Sequence, residues 1–537
     1  MSFISRTLIA GAIAVTALGA AAQDMPKFTP DQKLRYAEAL IENYYVEPVN
    51  GDSLVTEAIE AMLKTLDPHS QYSSPEETKE LTQPLDGKFS GIGIQFSIVR
   101  DTVYVVQTTS GGPSERAGIL PGDKIIYVND TVFTRPKMAN SDVLKTLRGP
   151  KGTKVDLKIL RGDDPNLIDF KLVRQDIPIY SVDATYMIDP QTGYISISRF
   201  AESTPREVAD AIAKLKKKGM KNLVLDLAGN GGGYMGAAHE LASMFLEPGD
   251  LVVYTEGSAF PTQYLTVDSG SKSAGVDRLV VIVDQYSASA SEIVSGALQD
   301  QDRAVIVGRR TFGKGLVQRP FPFPDGSMIR LTTSRYHTPS GRFIQKPYEK
   351  GRGEEYQLDM LNRYNHGELW SADSIKVDEN LKYNTLKNGR TVYGGGGIIP
   401  DVFVPVDTSY YSTFYRDIVA KGTLNTTVTD YVQQHRKALL KAYPNEDACS
   451  AKYAVPQSLV DELMARAGSD SIKMKPEDVE RSMPLIRAVL KGLVIRDIYE
   501  NGNYSRAVNP LNPLYTTAID IINDPRRYNQ ILSGASE

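Results

Sequence analysis

The chain has 537 residues, 41 % of them hydrophobic and 23 % charged, and carries a formal net charge of -4. Such a length exceeds one hydrophobic core, so three or four packed units are expected, with the composition of a soluble globular protein. With no overall basic field, the charge argues against a protein that reads the nucleic-acid backbone.

The opening stretch, MSFISRTLIAGAIAVTALGAAAQD, sets Arg6 before a short apolar run and ends in Ala20, Ala21 and Ala22. A positive start, a core brief for a membrane span and a small-residue exit predict a cleaved secretory signal over 1–22, with an uncleaved anchor as the alternative. Either way the remainder is exported, and at most peripheral membrane association is expected because no later segment is long and apolar enough to cross a bilayer. Cys449 is the only cysteine, so the exported chain folds without an internal disulfide. Its setting, NEDACSAKY, is polar and loop-like. The five histidines show no ligand spacing, and neither metal nor cofactor is expected.

Residues 31–86 read as helical: DQKLRYAEALIENYY and SLVTEAIEAMLKTL repeat apolar positions at helical spacing, and Asp67-Pro68 ends the second run. A collar or dimerisation element is the expected role. Over 87–177 the pattern turns to short β-type runs, FSGIGIQFSIV, TVYVVQTT, KIIYVND, KVDLKIL and DFKLVRQD, divided by SGGPSERAGILPGD and LRGPKGT. Here GPSERAGILPGDKIIYVNDT and SDVLKTLRGPKGTKV resemble a PDZ domain. The resemblance implies that Gly91, Ile92, Gly93 and Ile94 form a loop whose backbone N–H groups receive a peptide's terminal carboxylate, while the next strand adds the peptide to the sheet.

From 178 to 405, TGYISISRF, STPREVADAIAKLKKKG, NLVLDLAGNGGG, AHELASMFL, RLVVIVD, SEIVSGALQD and RAVIVG alternate apolar strands with helices. This predicts a mostly parallel sheet covered on both faces, with function gathered where strands end and helices begin. Residues 406–537 return to helical runs without a nucleophile or ligand cluster, which suggests packing, oligomerisation or partner contact. The chain is thus expected to be a multidomain α/β protein with a helical N-terminal unit, a β-rich second unit and a helical C-terminal region.

Three glycine motifs need sorting. VIVGRRTFGKGLVQ has the Gly308, Gly313, Lys314 spacing of a phosphate loop, yet Gly315 replaces the hydroxyl residue and a β-like, proline-rich run follows instead of a helix. LVLDLAGNGGGYMGAAHE satisfies GxGxxG at Gly231, Gly233 and Gly236 without other dinucleotide signatures; its backbone N–H groups suit an oxyanion hole better. Gly394 to Gly397 allow a tight backbone passage and carry no assigned chemistry.

In DQYSASASEIVSGALQD, three serines alternate before a predicted helix, and Ser289 with Glu292 has capping-box spacing. A serine needs a base to become a nucleophile. Lys314, between two glycines after a buried-type strand, suits that role if kept dry. SASASEIVSGALQDQDRAVIVGRRTFGKGLVQ resembles the core of the carboxy-terminal processing proteases, the S41 serine peptidases, as do LDPHSQYSSPEE, YHTPSGRFIQ and YGGGGIIPD. The resemblance spans roughly residues 31 to 405. It implies Ser289 as nucleophile, Lys314 as general base, Gln318 as its support, and an oxyanion hole from Ala290 with Gly231 or Gly232; Ser287 and Ser291 stay open as alternative nucleophiles. It further implies a periplasmic endopeptidase acting on polypeptides with a free C-terminus, with an adaptor or a second copy as further partners. Ala228 departs from the family's common arginine, and the long helical region exceeds its minimal plan. An inactive scaffold on this fold and a different serine hydrolase are the rival readings.

Overall fold

The computed structural model describes residues 28–99, 101–109, 111–162, 164–499 and 503–534; the secretory signal expected over 1–22 lies outside them. The chain divides into two compact units, Met1–Met62 and Leu63–Glu537. In the first, Thr29 stands extended ahead of Pro30, whose missing N–H suits the opening position of the helix Pro30–Tyr44. A second helix, Gly51–Lys64, carries Asp52 in its first turn and Lys64 in its last, as the helix dipole favours. No residue of the first helix is buried.

The second unit begins with a departure from the helical expectation for 31–86. Gln71–Ser73 is a strand, paired antiparallel with Met328–His337. Three residues are too few to display an alternating pattern, so nothing in the sequence separated them from the helices on either side. The next helix, Pro75–Thr82, is capped by Ser74, whose hydroxyl accepts the Glu77 N–H at 3.3 Å.

The β-rich stretch forms one sheet from Ile94–Val99, Thr102–Thr108, Lys124–Val128, Lys154–Leu160 and Leu167–Val173, with Thr131–Val132 attached to the third. Alternate residues such as Val103, Val105, Val155, Leu157 and Ile159 fill its core with Val143 and Leu147 of the helix Asn140–Leu147. The incoming strand Lys88–Gly91 pairs antiparallel with the outgoing Gln175–Pro178, so the insert leaves and rejoins the main body at one place.

The central sheet runs in the order Val182–Met187, Thr192–Ile197, Asn222–Asp226, Leu279–Val283, Val305–Gly308, Val402–Phe403. Its first pair is antiparallel and the rest are parallel. Leu223, Leu225, Leu279, Val281 and Val283 face the helices Thr204–Lys217, Met235–Ser243 and Ala290–Asp300. Val224, Val280, Ile282, Val305 and Val307 face the other way, and they meet Leu514, Tyr515, Ala518, Ile521, Ile522 and Tyr528 of the helices Pro513–Asn523 and Pro525–Ser533. The last part of the C-terminal region therefore supplies the second cover of the sheet. The stretch before it forms a helical bundle with its own core, in which Cys449 is fully buried on the helix Glu446–Lys452, correcting the loop-like setting read from its polar neighbours.

Because Ile521 is fully buried against the sheet, Ile521→Ala is expected to cost about 2–5 kcal/mol of unfolding free energy. Denaturant unfolding followed by hydrogen exchange in the strand Leu279–Val283 measures it. Unchanged protection of that strand would contradict this packing.

Candidate active site

The strand Leu279–Val283 ends at Asp284, at the carboxyl edge of the parallel sheet. One oxygen of Asp284 accepts the N–H groups of Tyr286 at 3.0 Å, Ser287 at 3.1 Å and Gly229 at 2.9 Å, which ties the loops after two adjacent strands together. The three alternating serines then separate. Ser287 donates its hydroxyl to the Leu227 carbonyl at 2.8 Å and accepts the Asp284 N–H, while Ser291 donates to the Asn230 carbonyl at 2.8 Å; both are fully buried. The Ser289 hydroxyl makes no cap hydrogen bond. Its backbone sits at φ 56°, ψ −112°, a strained conformation for a residue with a side chain, directly before the helix Ala290–Asp300.

The capping box is formed by half. Glu292 reaches back to the Ser289 N–H at 2.8 Å, but its own N–H donates to the Ser289 carbonyl at 2.8 Å and leaves the hydroxyl out. The carboxylate does more than cap. Fully buried, it also accepts the Lys314 N–H at 2.9 Å, the Gly313 N–H at 2.7 Å and the Thr311 hydroxyl at 2.5 Å. Burial raises this carboxyl above the usual range, and the four donors oppose that rise. Tyr336 adds a second link, its hydroxyl lying 2.5 Å from the Lys314 carbonyl and 3.2 Å from that of Ser289. Sequence spacing pointed to Glu292 only as a local cap, because its contacts with residues 311–314 arise from tertiary folding.

The side chain of Lys314 is part-buried. Burial first, and the charge of Arg330 second, lower its amine to about 8. Among the described residues its amine makes no hydrogen bond to Ser289 or to Gln318; Gln318 instead donates its amide to the Thr332 hydroxyl at 3.1 Å. His69, from the LDPHS stretch, is also near. Burial and the Lys314 charge lower it to about 3, so its ring is neutral, with Nε2 at 2.9 Å from the Tyr356 hydroxyl. The Gly308 of the phosphate-loop spacing has a steric explanation: a Cβ there would stand 1.8 Å from the Val283 carbonyl oxygen, at φ 140°.

Gly231, Gly232 and Ala290 lie beside the turn in different ways. A Cβ on Gly232 would meet the Cβ of Ser289 at 2.8 Å, so only bare backbone fits, and its φ of 99° suits glycine. The Gly232 N–H donates to the Asn230 side chain at 2.9 Å, whereas Gly231 is exposed. The Ala290 N–H opens the helix without a partner among the described residues. Asn230, to which no sequence motif assigned a role, is fully buried and also donates to the Ile197 carbonyl at 2.8 Å, fixing the glycine turn.

In the β-rich insert, Gly91 ends a strand and Ile94 begins the next. The Ile92 carbonyl accepts the N–H and hydroxyl of Ser114, and the Gly93 carbonyl accepts the Thr109 N–H, so both carbonyls are turned into the fold. Arg148 lies beside this loop, its guanidinium 4.3 Å over the Phe89 ring and its Nε buried without a hydrogen bond.

Replacing Glu292 by glutamine sets an NH2 donor against a cluster of donors. Glu292→Gln is expected to lower unfolding free energy by about 2–3 kcal/mol; denaturant titration checks this, and a change near zero would contradict the bridging role.

Residues 191–351 match peptidase family S41, residues 90–172 a PDZ domain, residues 11–78 the activating protease CtpB N-terminal domain, and residues 414–500 a family of unknown function, DUF8443. The carboxy-terminal processing protease CtpB of Bacillus subtilis (strain 168) is 35 % identical over 352 residues, covering 65 % of this chain and 72 % of that protein. A probable CtpA-like serine protease of Staphylococcus aureus (strain MRSA252) is 33 % identical over 364 residues, covering 67 % and 72 %. Among solved structures, a photosystem II D1 C-terminal processing protease is 30 % identical, with a TM-score of 0.33, covering 57 % of this chain and 82 % of that one. With a PDZ domain set before an S41 core and this identity across most of two such proteases, the chain belongs to the CtpA/CtpB-like S41 peptidases and is a serine endopeptidase.

Proposed function

We propose that Ser289 is the nucleophile and Lys314 its general base in cleavage of exported polypeptides near or from their C-terminus. The observation that carries this reading is the contrast among the serines: Ser287 and Ser291 are committed to backbone carbonyls, while Ser289 is not and shares the Glu292 carboxylate with Lys314 through backbone N–H groups. Neutral Lys314 takes the Ser289 proton as Oγ bonds to the scissile carbonyl carbon. The resulting ammonium protonates the leaving amine as the C–N bond breaks. Lys314 then deprotonates a water that attacks the ester, and the proton returns to Ser289 as the acyl product leaves.

The negative oxygen formed in each half-reaction is met by backbone donors at Ala290 and at Gly231, the Gly232 N–H being already given to the Asn230 side chain. Gln318 supports the ammonium. The PDZ unit, 87–177, takes the substrate's terminal carboxylate on the loop Gly91 to Ile94, with Arg148 beside it as a charge-assisted donor. We place the protein outside the cytoplasm, in the periplasm, on the strength of the leader-like stretch 1–22. No helix of the described residues is long and apolar enough to cross a membrane.

On an unstructured peptide, Ser289→Ala and Lys314→Ala are each expected to lower kcat/KM at least about a thousandfold while leaving the fold intact by circular dichroism. Since the base must be neutral, wild-type kcat/KM is expected to rise with pH through about 8 and then level; a flat profile across that range would count against Lys314. Arg148→Ala is expected to weaken binding of a peptide with a free C-terminus about tenfold, by calorimetry, without altering the affinity of its C-terminal amide. Equal loss for both peptides would place Arg148 outside carboxylate recognition.

A further inference from the structure

Four donors converge on the carboxylate of Asp67, which is 9 % exposed. Its Oδ1 accepts the N–H groups of His69 at 2.8 Å and Ser70 at 3.0 Å and the Thr332 hydroxyl at 2.9 Å, and its Oδ2 accepts the Ser70 hydroxyl at 2.6 Å. The Ser70 hydroxyl oxygen accepts the Thr332 N–H at 3.0 Å, so this turn grips Thr332 at both backbone and side chain. A carboxylate offers only acceptors, and a hydroxyl has one proton. With that proton directed at Asp67, the Thr332 oxygen can serve its next neighbour only as an acceptor.

That neighbour is Gln318, whose Nε2 lies 3.1 Å away. The strand register sets Gln318 opposite Thr332, and the shift in register between Val317 and Gln318 re-aims the side chain at this point. An amide has two ends of nearly equal size, and only the hydrogen-bond network decides which way it points. Here the direction of the chain is fixed from Asp67 outward, so the amide must turn its NH2 to Thr332 and its oxygen away. An oxygen is what a protonated amine requires. The Asp67 charge is itself close enough to act on Lys314.

We propose that Asp67 and Thr332 are positioning residues of the cleavage reaction, holding the Gln318 amide in the one orientation that offers its oxygen to the protonated amine of Lys314. This rests on the assignment of Ser289, Lys314 and Gln318 made above. The LDPHS stretch thereby gains a role in the chemistry, because the turn that carries it sets the direction of a hydrogen-bond chain ending beside the base.

The test is a double-mutant cycle on the full chain with an unstructured peptide, reading kcat and KM separately. Thr332→Val, which keeps the shape and removes the hydroxyl, is expected to lower kcat about ten- to a hundredfold, with KM within about twofold. Thr332→Ser is expected to recover kcat to within about threefold of wild type, and in a Gln318→Ala background Thr332→Val is expected to change kcat by less than about twofold. A merely structural threonine would act equally in both backgrounds. Equal loss in the two backgrounds, or a serine variant no better than valine, would overturn the proposal. Cleavage surviving Ser289→Ala or Lys314→Ala would remove the assignment beneath it, an outcome that the Thr332 series does not produce.

Discussion

The carboxylate of Glu292 holds together the two chain segments that carry the proposed nucleophile and base, the Ser289 turn and residues 311–314. Moving such a group out of water costs several kcal/mol unless its lone pairs are met, and here three backbone N–H groups and one hydroxyl meet them. The donors come from the Ser289 turn and from residues 311–314, so the cost of burial is offset only when both segments are in place. The carboxylate thereby converts a desolvation penalty into a geometric requirement. Tyr336 repeats the link from the opposite polarity, donating where Glu292 accepts.

Around this point the rest of the architecture follows. A parallel sheet brings the loops after Asp226 and Val283 to one edge, where Asp284 ties them and Asn230 shapes the glycine turn against Ser289. Such an edge holds its geometry only if both faces of the sheet are dry. The helices between its strands cover one face, and the helices Pro513–Asn523 and Pro525–Ser533 cover the other. The PDZ insert leaves and returns through one paired strand set, which lets a recognition unit be added without interrupting the sheet. Its Gln107 side chain also donates to the Tyr499 carbonyl at 2.8 Å, at the end of the bundle's longest helix.

Much of this was legible in the sequence wherever a signal repeats locally. The apolar strands of the central sheet, the alternating strands of the PDZ domain and the helices of the C-terminal bundle all announce themselves by period. Ser289 and Lys314 could be proposed from the sequence because glycines and a helix start frame them and the surrounding motifs resemble those of the family. What escaped was tertiary. Glu292 looked like half of a capping box, since nothing local reveals four donors converging from 22 residues away or less. The strand Gln71–Ser73 is too short for a pattern. The role of residues 513–533 could not be read because their amphipathic faces suit a bundle as well as a sheet. Asn230 and Asp67 sit in turns, where such residues commonly satisfy their own backbone, and only the fold shows which neighbours they hold.

The most direct test of the account is covalent trapping with a fluorophosphonate, which modifies activated serine hydroxyls, followed by mass spectrometry to map the adduct. The account predicts an adduct on Ser289 that forms readily in the wild type and is lost in Lys314→Ala. An adduct on Ser287, on Ser291 or elsewhere, or labelling of Ser289 that is indifferent to Lys314, would contradict it.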